Sequence, residues 1–460
     1  MRFSVEVIQA IRAAVGRDFI LGIRVSGDEL LEDGLTLDDA LEIVRYLNAL
    51  GQLYYFSVTG ATSENSRISQ KMMPFADAPQ GVYAPLAARI REFVDLPILY
   101  VGKVVDPGFA EQLIADGVCD LVAMTRALIA DPHMPQKARE GRVDDIRLCV
   151  GMQDGCLGRN SRGLPLSGSQ NPVTGREAEL AEIVPARTRR RVVVVGGGPA
   201  GLEATRVAAL RGHEVVLYEK EAELGGQVLI AGRAPLRPGY DQAVRWLARQ
   251  LGKSGAKVRL NTEATVDAVL AERPDAVIVA TGAVPRRPDM PGAELPGVCT
   301  VEDVLLGRVQ TGGRCVVIDA TGRVQAGLVA DLLARQGRQV TVITPYHTLA
   351  DNTEPSTKEP LFERLYQGGV TMMPDTTLRG VEAQAGTASL RILVKNEYAG
   401  REWAIADVDT VVLSYGARAV DGLYQALRGR VPELTLVGDA MAPRLLHDAI
   451  LEGTRAARRI

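Results

Sequence analysis

Long uncharged apolar runs are missing from this chain: no stretch approaches the ~20 residues that cross a bilayer. The opening MRFSVEVIQAIRAAVGRDF lacks the continuous apolar block of a secretory signal, so a cytoplasmic location is expected. Cysteine is scarce. Five in 460 residues make no disulfide framework, so they read as reduced core thiols or as ligands. An excess of either charge is also missing. With 53 basic and 56 acidic residues the net charge is -3, which gives no electrostatic reason to bind nucleic acid or a membrane surface, and neither partner is expected. What is present, 46% apolar and 24% charged residues over this length, suits two to four globular domains.

The most informative stretch is RVVVVGGGPAGLEATRVAALRGHEVVLYEK, Arg191 to Lys220. Four valines, Val192 to Val195, form a buried-type strand. Gly196, Gly198 and Gly201 follow at G-x-G-x-x-G spacing and open an apolar helix. A second strand, Val215 to Tyr218, then ends in Glu219. This order is a complete βαβ dinucleotide fingerprint. The first glycine makes the tight turn, the second lets backbone approach a pyrophosphate, and the third lets helix and strand pack closely. The helix N-terminus holds the phosphates. Glu219 is placed to accept from a ribose hydroxyl.

Upstream, Phe3, Val7, Ile8, Ile11 and Val15 fall on one face of an amphipathic helix. Strands are expected at Phe19–Val25, Leu53–Val58, Ile98–Gly102 and Leu121–Met124, alternating with helices. One helix is started by Thr36 with Asp39, another by Asp106-Pro107. Four βα units suggest a parallel sheet with helices outside, half of the eight-stranded barrel.

The segments GIRVS, YFSVTG, YVGKVVDPGFAEQLIADG and LVAMTRALIADP resemble the second half of the FMN barrel in the NADH:flavin oxidoreductase or old yellow enzyme family. The likeness is closest to its long members, the 2,4-dienoyl-CoA reductase and trimethylamine dehydrogenase group, and covers essentially the whole chain. It implies an α/β fold: the C-terminal half of a TIM-type barrel (1–147), a cysteine loop and linker (148–187), an FAD-binding Rossmann-like domain in two parts (188–310 and 401–460), and an inserted second nucleotide-binding-like domain (311–400). By the same resemblance Arg24 lies beside an FMN ring, and Gly102, Lys103, Thr125 and Arg126 hold the FMN phosphate. Gly226 and Gln227 in LGGQ, Thr281-Gly282, and Gly438-Asp439 in LTLVGDA join the glycine fingerprint around FAD. The family's first four strands, with substrate-side residues, have no counterpart, so no catalytic residue is assigned. An N-terminally truncated chain, with a misassigned start codon as one origin, is expected; an in-frame stop close upstream would exclude that origin.

The cysteine loop, Cys149 to Glu177, sits where the family binds a 4Fe-4S cluster. Cys149 and Cys156 take the first and third ligand positions, while Met152 and Gly168 fall on the second and fourth. A thioether or a glycine gives iron no anionic ligand, which favours two unligated thiols over a cluster with unusual ligation. The run Arg187, Arg189, Arg190, Arg191 reads as a solvated domain boundary.

The insert opens as CVVIDATGRVQAGLVADLLARQGRQVTVITP, a second βαβ pattern. Here Asp319 replaces the first glycine and Thr321 the second, and the next strand ends in Thr344 with no acid. A carboxylate repels a pyrophosphate, and Thr321 obstructs its approach to the backbone. That weakened site resembles the amine dehydrogenase and demethylase branch more than the enoyl reductase branch. The resemblance implies a flavin-dependent oxidoreductase passing electrons between a small-molecule substrate at FMN and FAD or a carrier. In one direction NAD(P)H feeds C=C reduction; in the other an amine is oxidised and electrons leave to an electron-transfer protein. The alternative is a catalytically incomplete FAD-binding protein. An oligomer is compatible with either.

Overall fold

The computed structural model describes every residue from Met1 to Ile460 and divides into two units, Met1–Gly151 and Met152–Ile460.

In the first unit, strands Gly22–Ser26, Tyr55–Thr59, Ile98–Tyr100 and Leu121–Val122 form one parallel sheet in chain order. Helices alternate with them. Thr36 caps Leu37–Ala49 through a reciprocal box with Asp39, and Asp106 caps Pro107–Ala115 with proline in the first turn. Val44, Leu47, Phe56, Ile90, Ile98 and Tyr100 are fully buried between sheet and helices.

Three expectations are corrected here. The first strand starts at Gly22, not Phe19, because the Arg12 guanidinium gathers the carbonyls of Gly16 and Phe19 and holds that segment in a bend. The first helix, Arg2–Val15, buries Ile8 and Arg12, whereas Phe3, Val7, Ile11 and Val15 stay exposed. The last two strands also end earlier than expected, at Tyr100 and Val122.

The second unit holds two five-stranded parallel sheets. In the first, Arg191–Val195 is central, flanked by Glu214–Tyr218 on one side and Ala276–Val279, then Glu433–Leu436, on the other. Strands from before and after the insert therefore share one sheet, as expected of an interrupted domain. The second sheet takes Arg314–Asp319 and Gln339–Ile343, and also Val298–Thr300 and Thr410–Ser414, which lie outside the expected insert of 311–400. These outer strands are short apolar runs without a glycine turn, so their partner sheet was not readable locally. A three-stranded antiparallel sheet, 376–408, completes the insert.

Candidate functional site

At the carboxyl end of Arg191–Val195 the chain turns at Gly196 with φ +105°, where a Cβ would stand 2.2 Å from the Ala280 carbonyl. At Gly201 a Cβ would stand 1.9 Å from the Gly196 carbonyl, so the helix Pro199–Leu210 approaches at backbone distance. Gly198, by contrast, has nothing within 4 Å of its Cβ position. The turn is thus tight at its first and third glycines and open at its second, the shape a pyrophosphate requires.

Glu219 is already oriented. Its Oε2 accepts from the Gly197 N–H at 2.6 Å and its Oε1 from the Glu221 N–H at 2.8 Å, with the side chain 7% exposed. Gly225 donates to the Gly197 carbonyl, and a Cβ on Gly226 would lie 3.2 Å from the Gly198 Cα, so the 224–227 loop borders the open position. Gln227 Nε2 donates to the Ala283 carbonyl, just past Thr281-Gly282, and the Gly282 carbonyl accepts from the Val420 N–H. Gly438, at φ +65°, packs on Ala200 at the start of the same helix. Burial pushes the Asp439 carboxyl upward, opposed by the Arg444 N–H at 3.0 Å and by the charges of Arg444 and Arg323. Gly196, Gly198, Gly201, Glu219, Gly226, Gln227, Thr281, Gly282, Gly438 and Asp439 therefore border one crevice. These residues fit FAD: a glycine cradle open at Gly198, with the Glu219 carboxylate held at its rim.

Sequence reasoning missed Arg444 and Glu452 beside that crevice. A usable signal was Gly453. A glycine inside a helix costs about 1 kcal/mol unless close packing calls for it, and here a Cβ would stand 2.3 Å from the Ala200 carbonyl.

The second glycine turn is filled. Asp319 is fully buried; its Oδ1 accepts from the N–H groups of Thr321 and Gly322, and its Oδ2 from that of Ala350. Burial still raises this carboxyl above its ordinary range, the three N–H bonds opposing. The segment after Thr344 folds back over the turn. Asn352 donates from its backbone to the Gly322 carbonyl and from Nδ2 to the Thr321 carbonyl, and the Tyr346 ring lies 3.1 Å from where a Gly322 Cβ would be. Occupancy is therefore added to the expected repulsion: the carboxylate takes the Thr321 and Gly322 N–H groups of the turn itself.

The cysteine loop does not fit a four-iron cluster. Cys149 and Cys156 are half-buried and in no disulfide, and no group of three or more His, Cys, Asp or Glu side chains is placed to hold a metal. At Gly168, the expected fourth position, a Cβ would meet the Asn171 carbonyl at 2.8 Å, so the backbone has closed where a thiolate would project. Within the second unit, this loop rests on the closing segment of the insert: Arg162 donates to the Asn352 carbonyl at 2.7 Å, and Gly158 packs against Glu354.

In the first unit the structure brings some of the expected residues together. The Lys103 ammonium donates to the carbonyls of Ala76 and Ala78, and Arg126 to that of Pro74, so both hold the 74–78 segment. Gly102 is fixed by the Tyr100 hydroxyl, which donates to its carbonyl. Burial first, then Arg126, brings Lys103 down to about 8. Thr125 opens the short helix Thr125–Ala130 and is exposed. Arg24 stands apart on the first strand, bonded to Ser57 and otherwise open to solvent.

The family model described as NADH:flavin oxidoreductase / NADH oxidase matches residues 1–145, and that described as pyridine nucleotide-disulphide oxidoreductase matches 156–273 and 190–433. An N,N-dimethylglycine/sarcosine dehydrogenase of Chromohalobacter salexigens is 34% identical, over all of this chain and 71% of its own. An NADH oxidase of Thermoanaerobacter brockii is 35% identical, over all of this chain and 69% of its own. Among solved structures, a 2-naphthoyl-CoA reductase superposes with TM-score 0.91 at 30% identity, over all of this chain and 68% of its own.

Proposed function

Since the chain belongs to the NADH:flavin oxidoreductase / NADH oxidase family, in the form joined to a pyridine nucleotide-disulphide oxidoreductase module, and is a flavin-dependent oxidoreductase, we propose a division of labour among its sites. FAD is held by Gly196, Gly198, Gly201, Glu219, Gly226, Gln227, Thr281, Gly282, Gly438 and Asp439. FMN lies with the first unit, its phosphate end served by Gly102, Lys103, Thr125 and Arg126 and its ring by Arg24. Lys103 and Arg126 still have N–H groups to give, because their bonds to the 74–78 carbonyls use only part of their donors. Flavin supplies the two-electron acceptor in this chemistry, while the protein binds and orients.

Electrons run outward, from a small secondary or tertiary amine toward an electron-transfer protein, rather than inward from nicotinamide. One observation carries this direction: the glycine turn of the insert is occupied by Asp319 and covered by Tyr346 and Asn352. Sequence identity does not choose between the directions, because the dehydrogenase and the NADH oxidase are equally similar. No step is assigned to an iron-sulfur cluster. No helix is long and apolar enough to cross a membrane, and five cysteines outside any disulfide suit a reducing cytoplasm.

Anaerobic titration of the flavin-loaded protein tests the reading. NADH and NADPH are expected to leave the visible flavin band unchanged, whereas an N-methylated amine bleaches it. Bleaching by NADH at a stoichiometric dose would overturn the outward direction and favour C=C reduction.

A further inference from the structure

The turn that carries Asp439 is held from behind by a carboxylate that no expectation included. Glu452 sits on the helix Leu446–Arg459, 14 residues on from Gly438, with its side chain 18% exposed. Its Oε2 accepts from the Gly438 N–H at 2.7 Å. Its Oε1 pairs with the Arg444 guanidinium, whose Nε also donates to the Ala442 carbonyl. The backbone N–H of the same Arg444 donates to Asp439 Oδ1. Glu452 thus takes hold of the 438–444 segment at both ends, one through a backbone N–H and the other through an arginine.

The helix bearing Glu452 cannot drift, because Gly453 sits against the Ala200 carbonyl and Thr454 donates to the buried Glu203 on the glycine-turn helix. The clamp is therefore built on the two helices that flank the crevice. Gly438 needs it. Its positive φ keeps its N–H out of any regular ladder, and without Glu452 this donor would be left unpaired in a buried place. Arg444 is needed as well, since it stands between two carboxylates, Asp439 and Glu452, that would otherwise repel each other.

We infer that Glu452 is a positioning residue for FAD: by fixing Gly438 and Arg444 it aims the remaining oxygen of Asp439 into the crevice. Glu452 touches no ligand itself. This inference rests on the assignment of FAD to that crevice.

The test measures FAD dissociation from the full chain by fluorescence, together with thermal unfolding of the FAD-free protein, for E452A, E452Q, D439N and the double variants. E452A is expected to weaken FAD by about 10- to 100-fold, the loss of a buried acceptor. E452Q, which keeps an oxygen for the Gly438 N–H, recovers part of it. The decisive readout is coupling. In the D439N background the effect of E452A on FAD should largely vanish if Glu452 acts through Asp439, whereas independent effects would add. Additive effects, or FAD affinity in E452A equal to wild type, would overturn the inference. If E452A yields no folded protein, E452Q alone and with D439N gives the same coupling on a smaller scale. A wild-type chain that binds no FAD would instead bring down the assignment on which the inference rests.

Discussion

Two glycine turns of one chain, Gly196 to Gly201 and Asp319 to Val324, share a strand, a turn and a twelve-residue helix, and differ in what fills the space between. In the first, Gly198 faces open space and a carboxylate, Glu219, stands at the rim holding Gly197. In the second, the carboxylate is inside. Asp319 occupies the place of the first glycine and uses three N–H groups, and the place of the third glycine is taken by Val324. The contrast teaches that a βαβ fold survives replacement of its phosphate-binding glycines when an internal anion satisfies the same donors. The fold and the site are separable, and one chain carries both outcomes.

The comparison breaks most visibly at Gly201. Replacing it with valine, the residue the insert carries at the matching place, forces a side chain into the Gly196 carbonyl. We expect a loss above about 4 kcal/mol, seen as insoluble or FAD-free protein with no cooperative melt of this domain. A stable G201V protein that binds FAD would make the two turns interchangeable.

Next in size is Glu354, at the end of the segment that closes the second turn. Burial raises its carboxyl from 4.5 to about 7, against the hydrogen bond from Thr357. A raised acid favours the folded state when protonated. Its stabilising contribution is complete below about 4.5 and is lost as pH climbs through about 7. Denaturant melts across that range should show stability falling by at most about 3 kcal/mol, and E354Q should flatten the slope. An unchanged slope in E354Q would place the titration elsewhere.

Removing the rim carboxylate sharpens the comparison from the other side. Glu219→Ala leaves the Gly197 and Glu221 N–H groups without an acceptor. A loss of about 1–3 kcal/mol in FAD binding is expected, measured by flavin release.

The smallest effect is expected from Asp319→Asn. The amide oxygen can still accept from Thr321 and Gly322 but its nitrogen cannot accept from Ala350, which costs about 1 kcal/mol of stability. NADH should remain unable to bleach the flavin, because Tyr346 and Asn352 still cover the turn. Nicotinamide turnover in D319N would mean that the carboxylate alone closes the site.

The parts of the molecule legible in the sequence are those whose cause is local. Gly196, Gly198, Gly201 and Glu219 declare themselves because φ, close approach and strand-end position are properties of a few consecutive residues. The caps at Thr36 and Asp106 are readable for the same reason. Asp319 was legible as a fault but not as a substitute, because its third donor, Ala350, comes from 31 residues on. Glu452 stayed hidden because its partner Gly438 belongs to another element. The first helix shows a further limit. Its periodicity marks an apolar side at Phe3, Val7, Ile11 and Val15, yet periodicity names no neighbour, and Ile8 is the one member of the set that is buried.

The bond from Arg162 to the Asn352 carbonyl ties the cysteine loop to the segment that covers the second turn. Lifting the 345–354 segment off Gly322 also releases the cysteine loop, so the amides of Gly322, Ala350, Asn352 and Gly158 should exchange with solvent as one cooperative unit and protect one another.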